Sequence, residues 1–215
     1  MGIMLARDEI LGVILAGGGA RRMFAECGGS IGDKGLLDLA GKPMLAQVIE
    51  RLAPQVGAIV LNANGDPDRL QAFGLEVIPD LDDSRSGPLA GFAAAMAWAA
   101  QHRPHTQVIV TVPADVPFIP TDLVETFLKV AGGSVAIAVS DGQRHPAVGL
   151  WPLSLRCTLE AALADGQRRV EKFAQRHAAI AVSFPFSNIG GRTVDPFFNA
   201  NTPDDMTAAR TLLTS

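Results

Sequence analysis

Short apolar runs alternate along this chain with amphipathic stretches of helical period. Ile10 to Ala16 is continuously apolar and reads as a strand buried on both faces. Met44, Leu45, Val48, Ile49 and Leu52 then share one face of a helix started by Pro43. Ala58–Leu61 and Leu75–Ile78 are the next strands, with a short helix over Asp66–Phe73 between them. A polar interval, Asp82–Gly87, leads into an alanine-rich helix in which Leu89, Phe92 and Met96 mark one face. Val108–Val112 is a β-branched strand. A helix from about Thr121, with that residue as N-cap, turns Leu123, Val124, Phe127 and Leu128 inward. Val135–Val139 and Ala147–Trp151 are two more strands, joined through Asp141-Gly142 by a connection longer than a tight hairpin. Leu155, Leu159 and Leu163 predict another helix, and Val170 with Phe173 a further short one. Ile180–Phe184 is a late strand, and Thr202-Pro203-Asp204-Asp205 opens the last helix with Thr as N-cap.

This alternation predicts an α/β protein: a three-layer α/β/α sandwich around a mainly parallel, Rossmann-like sheet. No internal repeat, low-complexity tract or linker divides the chain, so one domain over residues 1–215 is expected. In such sheets ligands bind beyond the carboxyl ends of the strands. Those ends carry Gly17-Gly18-Gly19, Asn62, Asp80 and Asp115. A glycine loop, an amide and two carboxylates should therefore meet on one edge of the sheet.

Composition narrows the setting. Hydrophobic residues make up 48% and charged residues 19%, as in a compact globule rather than a disordered chain. A net charge of −4 argues against a nucleic-acid partner, although Arg21, Arg22 and Lys34 form a local basic cluster. The two cysteines, Cys27 and Cys157, form neither a disulfide framework nor a metal spacing and read as reduced thiols of a cytoplasmic protein. The N-terminus carries Asp8 and Glu9 before any long apolar stretch, which does not suit a signal peptide. No apolar segment is long enough to span a bilayer, so no membrane partner is expected.

The strand-then-glycine arrangement suits phosphate chemistry. Glycines let backbone amides approach an anion, and Arg22 and Lys34 can neutralise its charge. The loop is not a P-loop, because no Gly-x4-Gly-Lys-Ser/Thr occurs. Nor is it a dinucleotide fingerprint, since Arg22 stands where the third glycine should be. Asp115, just past Pro113-Ala114, suits either a Mg²⁺ site shared with phosphate oxygens or a helix cap. Asp80 after Pro79 suits either a turn or an acceptor for a base amino or imino group, and Asn62 has the same two readings. Arg168-Arg169 could hold a second anion or simply face water, and Asn199 and Asn201 could be turn and cap groups. No Ser-His-Asp or Cys-His arrangement with an elbow is present.

Taken together these residues resemble a known family. Leu15-Ala16-Gly17-Gly18, Arg22-Met23 and Asp33-Lys34-Gly35 are similar to the signature of nucleotidyltransferases with the GT-A-like fold. Within that superfamily the chain resembles the molybdenum cofactor guanylyltransferases. Asn62-Ala63-Asn64, Asp80, Gly87-Pro88-Leu89-Ala90-Gly91 and Pro113-Ala114-Asp115 match the family's segments. So do His145-Pro146, Gly166-Gln167-Arg168-Arg169-Val170 and Asn199-Ala200-Asn201-Thr202-Pro203. One departure is Phe24–Ile31, which lengthens the interval between Arg22 and Lys34 and could close over a nucleotide.

The resemblance implies transfer of GMP from GTP to the phosphate of the molybdenum-pterin cofactor, with pyrophosphate released. It implies Arg22, Lys34 and Asp115 as catalytic residues, with Mg²⁺ on Asp115. GTP would lie against Leu15, Ala16, Gly17, Gly18, Lys34, Asn62, Asp80 and Asp115. The N-terminal part would bind the nucleotide and the C-terminal part the acceptor, with Arg168, Arg169, Asn199 and Asn201 toward the pterin. A cytidylyltransferase acting on the same pterin and a non-catalytic nucleotide-binding module are the alternatives. Expected partners are GTP, the pterin and, beyond them, other cofactor-biosynthesis proteins and molybdoenzyme chaperones, with the protein itself a monomer.

Overall fold

The apolar runs assemble into one seven-stranded sheet whose strands alternate sides with period two. The computed structural model describes residues 5–17, 34–81 and 87–214. The strands are β1 (Ile10–Leu15), β2 (Ala58–Asn62), β3 (Glu76–Ile78), β4 (Val108–Pro113), β5 (Ala136–Ser140), β6 (Gln143–Pro152) and β7 (Ile180–Ser183). Their order across the sheet is β3-β2-β1-β4-β6-β5-β7. β3, β2, β1 and β4 pair in parallel, as do β5 and β7, while β6 runs antiparallel to both of its neighbours. The expected mainly parallel α/β architecture is thus the observed one.

Each face of the sheet has its own core. Ile10 and Ile14 of β1, with Val108, Val110 and Val112 of β4, pack on one side. Helix α1 (Met44–Leu52) and helix α3 (Leu123–Ala131) cover them with Leu45, Val48, Leu52, Val124 and Phe127. Leu11, Val13 and Ile109 point the other way, against α2 (Pro88–His102), α4 (Arg156–Ala164) and α5 (Val170–Arg176). α2 is buried nearly all round, including Ala90, Ala93, Ala94, Ala95 and Ala99, and this explains its alanine content. A third cluster, with Leu39, Met44, Phe118, Val194 and Met206, seats α6 (Pro203–Thr214).

Local chemistry sets several element ends. The N-terminus of α3 is capped from outside: Val124 N–H donates to Gln55 Oε1 at 3.0 Å, and Asp122, not Thr121, is the flanking residue. α6 opens as expected with a capping box, in which Asp205 N–H donates to Thr202 Oγ1 at 3.1 Å and Thr202 N–H to Asp205 Oδ2 at 2.8 Å.

The connection through Asp141-Gly142 departs from expectation. Ser140 pairs directly with Gln143, and both turn residues have positive φ, 45° and 75°, so this is a two-residue hairpin. Its irregularity comes later. Ile137 faces Gly149 but Ala138 faces His145, so Pro146, Ala147 and Val148 bulge out of β6. Pro146 has no N–H for the ladder, which suits a bulge. Thr111 Oγ1, fully buried, donates to the bulged Ala147 carbonyl at 3.0 Å and accepts from Trp151 Nε1 at 3.0 Å. Two small hairpins, Asp38–Leu39 with Lys42–Pro43 and Ser187–Ile189 with Arg192–Val194, lie outside the main sheet.

Candidate active site

The carboxyl ends of β1, β2, β3 and β4 open onto a cavity of about 280 Å³. Parallel pairing brings these ends level. Ala16 N–H donates to Asn62 O at 2.8 Å, Ala63 N–H to Ile78 O at 3.0 Å and Ala114 N–H to Leu15 O at 3.0 Å. The backbone ladder therefore continues one residue past each strand and holds the loops that carry the polar side chains.

At one end of the cavity Asp80 is clamped by two asparagines. Asn62 Nδ2 donates to Asp80 Oδ1 at 3.0 Å and to the Ile78 carbonyl at 3.2 Å. Asn64 Nδ2 donates to Asp80 Oδ2 at 2.8 Å, while Asp80 N–H returns a bond to Asn64 Oδ1 at 2.8 Å. Arg69 Nη2 fixes the Asn64 carbonyl at 2.8 Å. Each Asp80 oxygen thus spends one lone pair on an asparagine and keeps another for a ligand N–H. Gly91, in the first turns of α2, gives Asn62 its room: a Cβ there would lie 2.1 Å from Asn62 Oδ1.

At the other end Lys34 Nζ lies 3.3 Å from Asp115 Oδ2 and also donates to Asn201 Oδ1. Their side chains are only 15% and 18% exposed, so their charges interact more strongly than in a surface pair. Ala200 N–H donates to the Asp115 carbonyl at 3.1 Å and stitches Asn199-Ala200-Asn201 to the end of β4. Asn199 Oδ1 is buried with no hydrogen-bond partner. Among the described residues no group of three or more His, Cys, Asp or Glu forms a metal cage. A hard cation that shares its shell with phosphate and water needs only one or two carboxylates, and Asp115 fits that need.

A second cavity, of about 440 Å³, adjoins the first and shares Pro113, Ala147 and Asn199 with it. The β6 bulge forms one wall, and Asp195, Phe197 and Phe198 form another. His145 Nε2 lies 2.7 Å from Ser140 Oγ, and its ring packs 4.9 Å from Phe197. Burial lowers its pKa, and nearby Asp195 only partly opposes this. A larger cavity of about 540 Å³, between Leu5, Pro54 and Val124, lies at the opposite edge, where none of the candidate site residues lines it.

Leu15, Ala16, Gly17, Lys34, Asn62, Asp80, Asp115 and Asn199 thus line one cavity, with Asn201 bonded to Lys34. Gly18, Arg22 and the Phe24–Ile31 interval lie outside the described residues. Arg168 and Arg169 are exposed. The Arg168 guanidinium donates to Leu163 O at 2.6 Å, and its own carbonyl lies beside Gly87 at the mouth of the first cavity. Neither Arg168 nor Arg169 lines the two cavities that Asn199 and Asn201 border. Sequence reasoning did not single out Asn64 within Asn62-Ala63-Asn64, nor Asp195. The first had a signal, a second carboxamide two residues past the strand end; the second had none.

A family model for the MobA-like NTP transferase domain matches residues 12–180. The chain is 46% identical over 201 residues to a molybdenum cofactor guanylyltransferase of Rhodopseudomonas palustris (strain BisB5), covering 92% of this chain and 90% of that one. It is 43% identical over 213 residues to the protein of the same name from Mesorhizobium japonicum, covering 97% and 98%. Among solved structures it is similar to molybdopterin-guanine dinucleotide biosynthesis protein A from Archaeoglobus fulgidus. That match has a TM-score of 0.67 and 25% identity, and covers 95% of this chain and 98% of the other.

Proposed function

Because the chain belongs to the MobA-like NTP transferase family of nucleotidyltransferases, we propose that it transfers GMP from GTP to the phosphate of the molybdenum-pterin cofactor. The observation that carries this reading is the clamped Asp80 at one end of a strand-end cavity and the Lys34–Asp115 pair at the other. Guanine presents adjacent N1–H and N2–H donors, and a carboxylate held by Asn62 and Asn64 can accept both.

An oxygen of the acceptor phosphate attacks the α-phosphorus of GTP. The bond from that phosphorus to the bridging oxygen breaks, and pyrophosphate leaves with the bonding electrons. The acceptor phosphate already carries most of its negative charge at neutral pH, so the step needs no strong base. Lys34 neutralises charge on the triphosphate, as Arg22 would from the preceding loop. Leu15, Ala16, Gly17 and Gly18 hold the nucleoside with their backbone. Asp115 would hold a divalent cation, which we take to be Mg²⁺, and the cation's contribution is charge neutralisation on the phosphates. The acceptor lies toward Asn199 and Asn201, with Arg168 and Arg169 nearer the rim. The same reading has a monomer working in the cytoplasm as one domain, receiving the pterin from other cofactor-biosynthesis proteins and passing product to molybdoenzyme chaperones.

The test is pyrophosphate release with GTP, Mg²⁺ and the molybdenum-pterin phosphate. Turnover with GTP and little with CTP is the expected result. Equal or faster turnover with CTP would make the protein a cytidylyltransferase, and no turnover with either nucleotide would overturn an enzymatic reading.

A further inference from the structure

We propose that Asp195 recognises the pyrimidine edge of the acceptor's pterin, in the cavity beside the nucleotide cleft. This rests on the reading that the acceptor is a pterin phosphate. The two cavities are neighbours that share Pro113, Ala147 and Asn199 in their walls, and Asn201, which bonds Lys34, lines the second, so an acceptor whose phosphate reaches the Lys34–Asp115 pair would extend its body toward that second cavity. A volume of about 440 Å³ is of the size that holds a small molecule.

The walls suit a flat heterocycle. Phe197 is buried, and Phe198, Val116, Pro113 and Val148 add apolar surface. A pterin carries a 2-amino-4-oxo pyrimidine, whose ring N–H and amino group are adjacent donors just as in guanine. A carboxylate is the complementary acceptor, and Asp195 is the carboxylate lining this cavity. The protein would then read two similar heterocycles with one chemistry, Asp80 for the base and Asp195 for the pterin.

Asp195 is also available for the task. Its Oδ1 accepts the Phe197 N–H at 2.9 Å, which fixes the side chain against the wall, and among the described residues it makes no ion pair. Arg144, the cation that lines the same cavity, is bound to Glu171 at 2.8 Å. His145 is held on Ser140 and stays neutral at pH 7 because burial lowers its pKa. Asn199 Oδ1, buried and unpartnered where the cavities meet, calls for a donor from a ligand.

The experiment measures KM for the molybdenum-pterin phosphate and for GTP in wild type and Asp195→Asn. A carboxamide oxygen can still accept from Phe197 N–H, and the GTP-induced thermal shift reports that the variant is folded. A rise of tenfold or more in acceptor KM, with GTP KM unchanged, is expected. In wild type alone, an acceptor whose 2-amino group is replaced by hydrogen should also lose tenfold or more in kcat/KM. Unchanged acceptor KM in the variant, or equal use of the deaminated acceptor by wild type, would overturn the assignment. Absence of any turnover by wild type would instead defeat the guanylyltransfer reading, so the two failures are distinct.

Discussion

One methyl group at position 91 would end the packing that holds Asn62. The Cβ of Gly91→Ala would lie 2.1 Å from Asn62 Oδ1, too close for either group to stay. Displacing the carboxamide takes a donor from both the Ile78 carbonyl and Asp80 Oδ1. A strained contact of this kind costs about 1–3 kcal/mol, and losing a buried hydrogen bond costs a similar amount. Gly91→Ala should therefore lower the melting temperature and raise the KM for GTP together, and a variant changed in neither would show that Asn62 does not orient Asp80. Asp80→Asn tests the carboxylate itself. Bonds to a charged acceptor contribute about 1.5–3 kcal/mol, so GTP affinity should fall roughly 10- to 150-fold, and the melting temperature should fall as well, because the new NH2 group faces the amide donor of Asn62 or Asn64. Unchanged affinity would exclude Asp80 from the base site. His145 supplies a pH dependence. Its pKa lies below the ordinary 6.5 because of burial, so just below that pH the unfolded chain binds a proton that the folded chain refuses. Its stabilising contribution is complete above about pH 6.5 and is lost as pH falls through the folded value. Melting curves from pH 8 to pH 5 should show His145→Gln losing less stability on acidification than wild type, and parallel acid limbs would refute this. At this scale the sequence exposed the strand-end acid, Asp80, and Asn62 beside it, but not the second clamping residue, Asn64. A strand-end position is visible as a break in the apolar pattern, whereas the Asn64–Asp80 bond spans sixteen residues and two strands.

The elements around the second cavity were harder to read than those around the first. β1, β2 and β4 are apolar but for the buried Thr111 and the strand-end Asn62, because helices cover both faces, and their ends are unmistakable in sequence. β6 is apolar only from Ala147 to Trp151, so its polar half, Gln143–Pro146, looked like loop and the Asp141-Gly142 turn looked too distant. The bulge explains the break: the strand leaves the ladder where it borders the second cavity. Helix α6 links an element end to the site more legibly, since Thr202-Pro203-Asp204-Asp205 is a capping box in both sequence and structure. Asp205 Oδ2 also accepts the Asn201 N–H at 3.0 Å, so the cap fixes the backbone of the residue that bonds Lys34. Asp205→Ala should cost about 1 kcal/mol, the usual price of a lost N-terminal cap. For a chain of this size that is a fall of roughly 2–4 °C in melting temperature. It should also lower turnover, because Asn201 loses its support. A variant that melts lower but turns over at the wild-type rate would make the cap purely structural.

Across the whole molecule, function depends on four strand ends arriving at one edge, and the parallel register of β3-β2-β1-β4 guarantees it. That convergence was legible, because alternating strands and helices imply a parallel sheet and parallel sheets put their ligands at the carboxyl ends. The insertion of antiparallel β6 between β4 and β5 was not, since an apolar run carries no record of its direction. The same architecture makes ligand binding a stability measurement. GTP at a hundred times its Kd should stabilise the native state by about 2.7 kcal/mol, which for a domain of this size is a rise of roughly 5–11 °C in melting temperature. If Asp115 holds the cation, Mg²⁺ should add to the GTP shift in wild type, and a chelator should remove that increment. Asp115→Asn preserves side-chain volume but removes the charge that pairs with Lys34 and that would hold the cation. It should keep a shift with GTP alone, since Asp80, Asn62 and Lys34 remain, and lose the increment from Mg²⁺. An equal Mg²⁺ increment in variant and wild type would remove Asp115 from the metal site, whatever happened to turnover. The thermal measurement thus separates a role for Asp115 in holding a cation from a role for Lys34 in holding phosphates, which a loss of activity alone could not do.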